Sequence, residues 1–444
     1  MTPSVHRAAR SLGPALAGAL AGAVAVAGDA AAVPPDPPFE QTVRCVGEVA
    51  AVPEVDDGVS AAQRTLGWAG LGSLSTGAGV TVAVIDTGVA PHPLFGDRLV
   101  PGGDDLDPEA ERPGTEDCDG HGTLVAGIIA GGPDTRTGFT GVAPEARVLT
   151  IRQSSSAYVR VTADGRVPVG DEASLAEAVD TAVEAGADVV SISLVRCTTD
   201  LADTDPALVE AVRAAVAADV VVVAAAGNVG GDTGCQDQNA EGTPAATVTS
   251  PGSIDEVLTV GSVAADGTAS DFSLAGEWVD VAAPGEELVS LDPRPDGDGE
   301  VAAVRSGDGL VPVSGTSFAT PVVSGLAALV RARFPDLSAA QVVARIEATA
   351  SPPVGAGGRS WAVGHGVVNP RLALTAVIPA EGAAGVPGGS DRADVQAGSM
   401  PALAPAPDRS AARLVSGAGT AGLLAALALV LGWRAVRRRP SRER

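Results

Sequence analysis

Short apolar runs rich in valine, isoleucine and alanine recur between residues 80 and 263 and alternate with segments of helical periodicity. Runs without a polar residue at every second position are typical of strands buried on both faces of a sheet. Strands that alternate with helices favour an α/β fold, in which a mostly parallel central sheet is flanked by helices on both faces. The predicted strands are residues 80–85, 147–151, 187–194, 220–226 and 257–263, and the predicted helices are residues 121–130, 172–185 and 206–218.

Three polar residues lie at the end of a predicted strand or the start of a predicted helix, where α/β folds commonly place their active sites. Asp86 follows the first predicted strand, and the sites of open α/β sheets form at the carboxyl ends of strands. His121 begins a helix rich in glycine and alanine, where the helix dipole disfavours the charged imidazolium. Ser317 begins a further apolar helix, with Pro321 in its first turns. A serine hydroxyl needs a base to take its proton, and the base needs a carboxylate to orient it, so the three residues predict nucleophilic catalysis.

Asn228 ends the apolar run that begins at residue 220. An amide at this point is consistent with an ordinary turn residue. Beside Ser317, its side chain would instead donate a hydrogen bond to the oxygen that becomes negative during acyl transfer. Together with Asp86 and His121, the two residues indicate a serine endopeptidase.

Two other chemistries are weighed against this interpretation. The tripeptide Asp86-Thr87-Gly88 also occurs in aspartic proteases, and a second copy stands at residues 232–234. That copy follows two glycines rather than an apolar strand, and the α/β alternation does not fit an all-β protease. A zinc site is the other alternative, but no two cysteines are spaced Cys-x-x-Cys. We therefore predict neither a metal site nor a cofactor.

Composition narrows the function further. All 29 basic residues are arginine, which excludes lysine Schiff-base chemistry and the lysine-dependent phosphate loop. The net charge of −25 argues against nucleic acid as a partner, because phosphates repel a strongly acidic surface. Solubility is the simplest explanation of this charge, and selection of partners by charge is the alternative.

Both ends of the chain carry membrane signals. Residues 1–32 combine two arginines, an apolar stretch and three alanines, the pattern of a secretory signal peptide. Residues 414–433 carry no charge and would span about 30 Å as a helix, the thickness of one bilayer core. The arginine-rich tail, residues 434–444, is expected in the cytoplasm by the positive-inside tendency. We expect a single-pass protein of the cell membrane with an extracytoplasmic body; a buried core helix is the alternative for residues 414–433.

The remaining sequence divides by composition. Residues 33–75 form a short N-terminal extension, residues 76–376 carry the strand and helix pattern, and residues 377–413 form a linker rich in alanine, proline and glycine. The polar stretch 153–171 is predicted to be a surface loop, and its length suits a functional role. Cys45, Cys118, Cys197 and Cys235 lie in the expected exported part, where an even number favours two disulfides and leaves three pairings open.

The motifs around these residues resemble the subtilase family over about residues 65–376. They read Val84-Ile85-Asp86-Thr87-Gly88, Asp119-Gly120-His121-Gly122-Thr123, Ala224-Ala225-Ala226-Gly227-Asn228, Ser314-Gly315-Thr316-Ser317 and Gly364-His365-Gly366-Val367-Val368-Asn369. The resemblance implies a subtilisin-like fold, a triad of Asp86, His121 and Ser317, and Asn228 as the oxyanion donor. It also implies that Ser193, Leu194 and Val195 form the edge that pairs with the substrate backbone. Val195 stands where subtilases commonly have glycine.

A narrower resemblance joins the signal peptide, Cys45, Cys118, the stretch 153–171 and the C-terminal apolar segment. Together these features are similar to the mycosins, which are membrane-anchored subtilases of actinobacterial type VII secretion systems. The resemblance implies Cys45–Cys118 and Cys197–Cys235 disulfides, an N-terminal extension that wraps the catalytic domain, and substrates among secreted proteins of the same system.

Two functions follow as hypotheses. The first is a membrane-anchored serine endopeptidase that cleaves proteins or peptides through an acyl-enzyme. The second is a structural component that stabilises a secretion membrane complex, with proteolysis secondary. No residue that the first hypothesis needs is missing from the sequence, so it is preferred to the second.

Overall fold

The computed structural model describes residues 39–51, 59–230, 235–306, 309–353 and 358–382. The chain divides into two units, Met1–Val377 and Ile378–Arg444. The described part of the second unit forms a 3-10 helix at Pro379–Gly382. All other elements belong to the first unit.

The strands are β1 (Phe39–Gln41), β2 (Val49–Ala51), β3 (Thr81–Asp86), β4 (Leu99–Asp104), β5 (Arg147–Arg152), β6 (Ser155–Thr162), β7 (Gly165–Val169), β8 (Val189–Ile192), β9 (Arg196–Thr198), β10 (Val221–Ala225), β11 (Val248–Ser250), β12 (Leu258–Val263), β13 (Val281–Pro284), β14 (Ser290–Leu291), β15 (Glu300–Ser306) and β16 (Gly309–Pro312). The helices are α1 (Ala61–Leu66), α2 (His121–Ala130), α3 (Glu172–Glu184), α4 (Pro206–Ala217), α5 (Thr316–Arg333), α6 (Ala339–Thr349) and α7 (Pro370–Thr375). Further 3-10 helices lie at Trp68–Leu71, Gly96–Arg98 and Leu201–Asp203.

Within the described residues, seven strands form the central sheet in the order β13-β12-β10-β8-β3-β5-β4. Every neighbouring pair in this sheet is parallel. The predicted α/β class with a parallel central sheet is therefore confirmed. In this order, β3 and β10 lie on either side of β8. Asp86 ends β3 and Asn228 follows β10, so both residues lie at the carboxyl ends of the parallel strands.

Successive residues of each central strand point into two different cores. In β3, Val82 and Val84 pack with residues of α2 and α5, while Ala83 and Ile85 pack with residues of α3 and α4. A strand that buries both faces needs apolar residues at every position, which explains the continuous runs in the sequence. The two cores also confirm the predicted helices on both faces of the sheet.

Local capping explains where the helices begin. Asp171 accepts a hydrogen bond from Ser174 N at the start of α3, and Asp205 accepts one from Ala207 N at the start of α4. Pro206 occupies the first position of α4, where a missing N–H leaves no bond unmade. These caps account for the close agreement between the predicted and observed starts of α3 and α4.

The N-terminal extension is bound to the body along its described length. Strand β1 pairs antiparallel with β6, and β2 pairs antiparallel with β15. Between the two strands, Cys45 is bonded to Cys118. Gln63 is buried and its amide makes two hydrogen bonds with the backbone of Val289, at 3.1 and 3.2 Å. The extension therefore contributes strands and buried contacts of its own.

Residues 153–171 are not the loop that the sequence predicts. They form a hairpin in which β6 and β7 pair antiparallel. The segment from Tyr158 to Thr162 alternates β-branched and polar residues, and Asp164-Gly165 is a pair typical of hairpin turns. The prediction was wrong because it weighed polarity above this alternation.

Among the described residues, no helix is both long enough and apolar enough to cross a membrane. The predicted signal peptide, residues 1–32, and the predicted membrane span, residues 414–433, lie outside the described residues.

Candidate active site

Asp86 and His121 meet at the carboxyl edge of the central sheet. Asp86 ends β3 and is 1% exposed, and His121 begins α2 with its side chain 27% exposed. The distance from His121 Nδ1 to Asp86 Oδ1 is 2.7 Å. A carboxylate can only accept, so Nδ1 carries the proton and Nε2 is the acceptor nitrogen of the neutral ring.

Gly122 allows the two segments to approach this closely. A Cβ placed on Gly122 would lie 2.0 Å from the carbonyl oxygen of Gly88 and 3.1 Å from the Cβ of Asp86. Any side chain at residue 122 would therefore push the start of α2 away from the end of β3. The small residue after His121 is a condition for the hydrogen bond to Asp86.

The electrostatic surroundings favour the charged form of His121, contrary to the expectation from its place at the start of a helix. Burial, the largest single effect, lowers the pKa of His121. The charge of Asp86, its hydrogen bond to the ring, and the charges of Asp117 and Asp119 act in the opposite direction. Together they outweigh burial and raise the pKa of His121 above its ordinary value.

Ser317 is the second residue of α5, and Asn228 holds the first residue, Thr316, by two hydrogen bonds. Asn228 Oδ1 accepts hydrogen bonds from Thr316 N at 2.9 Å and from Thr316 Oγ1 at 3.0 Å. Its Nδ2 lies on the side of Gly315, 3.5 Å from the position of a Cβ on that residue. The amide orientation is thus set by the residue that precedes Ser317.

Ser193 supports the helix that carries Ser317. Pro321 stands four residues after Ser317 and has no N–H, so it cannot donate the regular helical bond to the Ser317 carbonyl. Ser193 Oγ donates to that carbonyl instead, at 2.8 Å, and Ser193 is 3% exposed. The hydroxyl of Ser193 therefore replaces a backbone donor of α5.

A cleft of about 780 Å³ brings most of the predicted site residues together. Asp86 lies behind His121, outside the lining. The lining is Thr87, Asp119, His121, Ser154, Ser155, Ser156, Pro168, Val169, Ser193, Leu194, Val195, Asn228, Cys235 and Ser317. The β6–β7 hairpin thus contributes one side of the cleft, in line with the functional role that its length suggested.

Side chains fill the space beside Gly227, which precedes Asn228. A Cβ on Gly227 would lie 2.9 Å from Thr249 Cγ2 and 3.4 Å from both Cys235 Sγ and Val195 Cγ1. Cys235 is bonded to Cys197, so the wall at this point is covalently tied to β9. With Cys45–Cys118, both disulfides are the pairs that the resemblance implied.

Sequence reasoning missed Asp117 and Asp119, which flank Cys118. Asp119 accepts hydrogen bonds from Ser155 and Ser156 and so holds the β6–β7 hairpin against the turn before His121. Asp117 is only 8% exposed, and the charge pattern of the sequence does not predict that this carboxylate is buried. Their spacing before His121 is the one signal the sequence offered for either residue.

The Ser193 hydrogen bond yields a prediction about stability. We expect Ser193→Ala to lower the free energy of unfolding by about 1–3 kcal/mol, because the Ser317 carbonyl loses its donor. Pro321→Ala restores an N–H at the regular helical position. In the double variant, Ser193→Ala should therefore cost less than it costs alone.

Denaturant unfolding of the four proteins of this cycle measures the coupling between residues 193 and 321. Additive costs would contradict the assignment of Ser193 as the substitute donor.

The comparisons with known proteins agree with this geometry. A profile described as the Subtilase family, peptidase S8, matches residues 77–368. Mycosin-4 of Mycobacterium tuberculosis is 46% identical over 83% of this chain and 80% of its own length. Mycosin-1 of the same organism is 41% identical over 91% of this chain and 92% of its own length.

Solved structures give the same result. The MycP3 protease from the type VII (ESX-3) secretion system has a TM-score of 0.68 and 43% identity, covering 77% of this chain and 95% of its own. A chain of an intact ESX-5 inner membrane complex has a TM-score of 0.70 and 36% identity, covering 90% of this chain and 97% of its own. The chain therefore belongs to the subtilase family, in its mycosin group, and is a serine endopeptidase.

Proposed function

We propose that Asp86, His121 and Ser317 are the catalytic triad of a membrane-anchored, extracytoplasmic endopeptidase that serves a type VII secretion system. The observation that carries the triad is the 2.7 Å hydrogen bond between His121 and Asp86 at a cleft that Ser317 also lines. A serine becomes nucleophilic when an oriented imidazole can take its proton, and these three residues supply that arrangement.

The reaction proceeds in two halves. Ser317 Oγ attacks the carbonyl carbon of a peptide bond while His121 Nε2 takes the hydroxyl proton. His121 then gives this proton to the leaving amine, and the acyl group stays on Ser317 as an ester. Water then attacks the ester carbonyl while His121 takes a proton from it, and His121 gives this proton to Ser317 Oγ as the bond between Ser317 and the acyl group breaks. Asp86 stays ionised throughout and stabilises the imidazolium.

The raised pKa of His121 has two opposite effects on this reaction. It stabilises the imidazolium that forms in each attack. It also means that the neutral base is available only above the raised pKa, so the rate falls as the pH drops through that value.

The developing oxyanion is proposed to lie between Asn228 and the start of α5. Asn228 Nδ2 donates one hydrogen bond, and the backbone N–H groups and positive dipole at the first turn of α5 supply the rest. The bonds from Thr316 to Asn228 Oδ1 support this role, because they orient the amide. Loss of one such donor costs on the order of 10²–10³ in kcat.

The substrate is proposed to pair its backbone with residues Ser193, Leu194 and Val195, as an added strand. A peptide held there with its carbonyl at Ser317 would direct the preceding side chain toward Gly227. Val195, Thr249 and Cys235 crowd that position. We therefore propose that the chain accepts small side chains on the acyl side of the cleaved bond.

The domain scheme is part of the proposal. Its segments are a signal peptide (1–32), an extension that wraps the catalytic domain (33–75), the catalytic domain (76–376), a flexible linker (377–413), a membrane span (414–433) and a cytoplasmic tail (434–444). The apolar and arginine-rich ends of the sequence support the anchor. Similarity to a chain of the intact ESX-5 inner membrane complex supports the type VII secretion membrane complex as partner.

A second candidate function is structural, and the same similarity favours it. A chain that covers 90% of this one occurs within an assembled inner membrane complex. In this view the protein stabilises such a complex, and proteolysis is secondary.

The triad predicts covalent labelling at one residue. In the full-length protein treated with a fluorophosphonate, we expect a single adduct on Ser317, because the proposed triad makes His121 the base for that hydroxyl. Mass spectrometry of the digested protein locates the adduct. The labelling rate should fall as the pH drops through the raised pKa of His121.

Ser317→Ala should carry no adduct, whereas Ser314→Ala should label normally. Ser314 is a matched control because its hydroxyl accepts from Glu287 N and takes no part in the triad. No adduct in a folded, disulfide-bonded sample would contradict the triad and favour the structural function.

The structural function predicts that catalysis is dispensable. In a deletion strain, Ser317→Ala should then restore secretion as fully as the wild-type chain, because the fold and its surfaces are unchanged. Quantified secretion of the system's substrates measures this. Restoration by the wild-type chain alone would contradict the structural function as a sufficient explanation.

The crowding beside Gly227 predicts the specificity. Val195→Gly should raise the preference for leucine over alanine on the acyl side of the cleaved bond by on the order of tenfold, because it opens the wall. Peptide libraries that vary this one residue measure the ratio. Leu194→Ala is the neighbouring control, and an equal change in both variants would count against Val195 as the limiting side chain.

A further inference from the structure

A buried carboxylate that the triad does not use lies beside the turn carrying His121. Asp117 Oδ1 accepts from Thr87 Oγ1 and from Gly120 N, both at 2.8 Å. Asp117 Oδ2 accepts from Thr123 N at 2.8 Å and from Thr123 Oγ1 at 2.6 Å. Four donors converge on one carboxylate, so each oxygen has two hydrogen bonds.

The two threonine hydroxyls extend these bonds to both sides of the site. Thr87 Oγ1 accepts from Gly122 N at 3.0 Å while it donates to Asp117. Thr123 Oγ1 accepts from Ala90 N at 2.8 Å while it donates to Asp117. Each hydroxyl thus joins the segment after β3, which follows Asp86, to the turn that carries His121.

These bonds act on the distance between the acid and the base. Asp86 and His121 belong to separate elements, 35 residues apart in the chain, and their hydrogen bond is 2.7 Å long. A misplacement of about 1 Å in such a pair can cost on the order of 100-fold in rate. Asp117 is the group on which both threonine bonds converge.

Asp117 also contributes charge to the site. The carboxylates that face His121 are Asp86, Asp117 and Asp119, and each raises the pKa of His121. Burial raises the pKa of Asp117 itself to about 7; hydrogen bonds from Thr123 and Thr87 lower it, and the charge of Asp86 raises it.

We propose that Asp117 is a positioning residue, which holds the turn carrying His121 against the segment after Asp86 and so sets the hydrogen bond between acid and base. The proposal rests on the proposed role of His121 as the base for Ser317. It is separate from the role of Asp119, which bonds to the β6–β7 hairpin through Ser155 and Ser156.

The test compares full-length wild-type protein with Asp117→Asn. The readout is the rate of fluorophosphonate labelling of Ser317 across the pH range in which His121 titrates. The asparagine amide would face donors with its NH₂ group, so the rate should fall on the order of 10- to 100-fold. Asp117 is ionised above its pKa of about 7, so the variant removes a negative charge from the upper part of this range, which lowers the pKa of His121 and should move the acidic limb of the profile to lower pH.

Asp188→Asn is the matched control for a lost hydrogen bond between a half-buried carboxylate and a backbone N–H. Asp188 Oδ2 accepts from Thr81 N at 2.8 Å, at the opposite end of β3 from Asp86. This variant should lose thermal stability while its labelling rate and acidic limb stay at the wild-type values. An Asp117→Asn protein whose limb does not move, and whose rate loss equals its unfolded fraction, would overturn the proposal.

A second pair of variants covers the case in which Asp117→Asn does not fold. Thr87→Val removes one hydroxyl bridge and keeps the side-chain shape, whereas Thr87→Ser keeps the hydroxyl. The valine variant should label more slowly than the serine variant, and equal rates would overturn the proposal. Absence of label on wild-type Ser317 would overturn the triad itself, so the two failures can be distinguished.

Discussion

The burial of Asp86 is the constraint on which the site depends. A carboxylate that is 1% exposed costs several kcal/mol to keep ionised unless donors replace the lost water. Thr87 N and His121 Nδ1 are the donors to its Oδ1. The fold therefore has to deliver the start of α2 to the end of β3. The contact between Gly122 and Gly88 makes this approach possible, and the bonds that converge on Asp117 maintain it.

On the Ser317 side of the site, a side-chain hydroxyl takes the place of a backbone N–H. Pro321 removes one N–H from α5, and Ser193 supplies the donor that the helix lacks. In the proposed function, Ser193 also belongs to the segment after β8 that pairs with the substrate backbone. One residue would then contact both the substrate backbone and the backbone of Ser317.

The central part of the fold was predictable because its strands are buried on both faces. The five predicted strands agree with β3, β5, β8, β10 and β12 within two residues at each end, and α2 has the predicted bounds. The two strands of the seven-stranded sheet that the sequence did not reveal, β4 and β13, lie at its two edges. An edge strand tolerates residues such as Pro101 and Pro284, so its sequence carries a weaker signal.

The site was predictable only in part, for a different reason. Asp86, His121 and Ser317 stand in motifs with a recognisable order, and Asn228 follows an apolar strand. The contribution of Asp117 depends on partners from two segments, and no local pattern encodes such a contact. The disulfide pairing came from family resemblance, since the cysteine count leaves three pairings open.

The paired N-terminal extension has a consequence for the order in which the chain can fold. Glu48, next to β2, forms an ion pair with Arg305 of β15, and the two residues are 257 positions apart. Contacts between such distant residues form late, because the intervening chain must first be brought together. Strand β1 finds its partner β6 much earlier in the chain, whereas β2 can pair with β15 only after the residues up to Arg305 have been made.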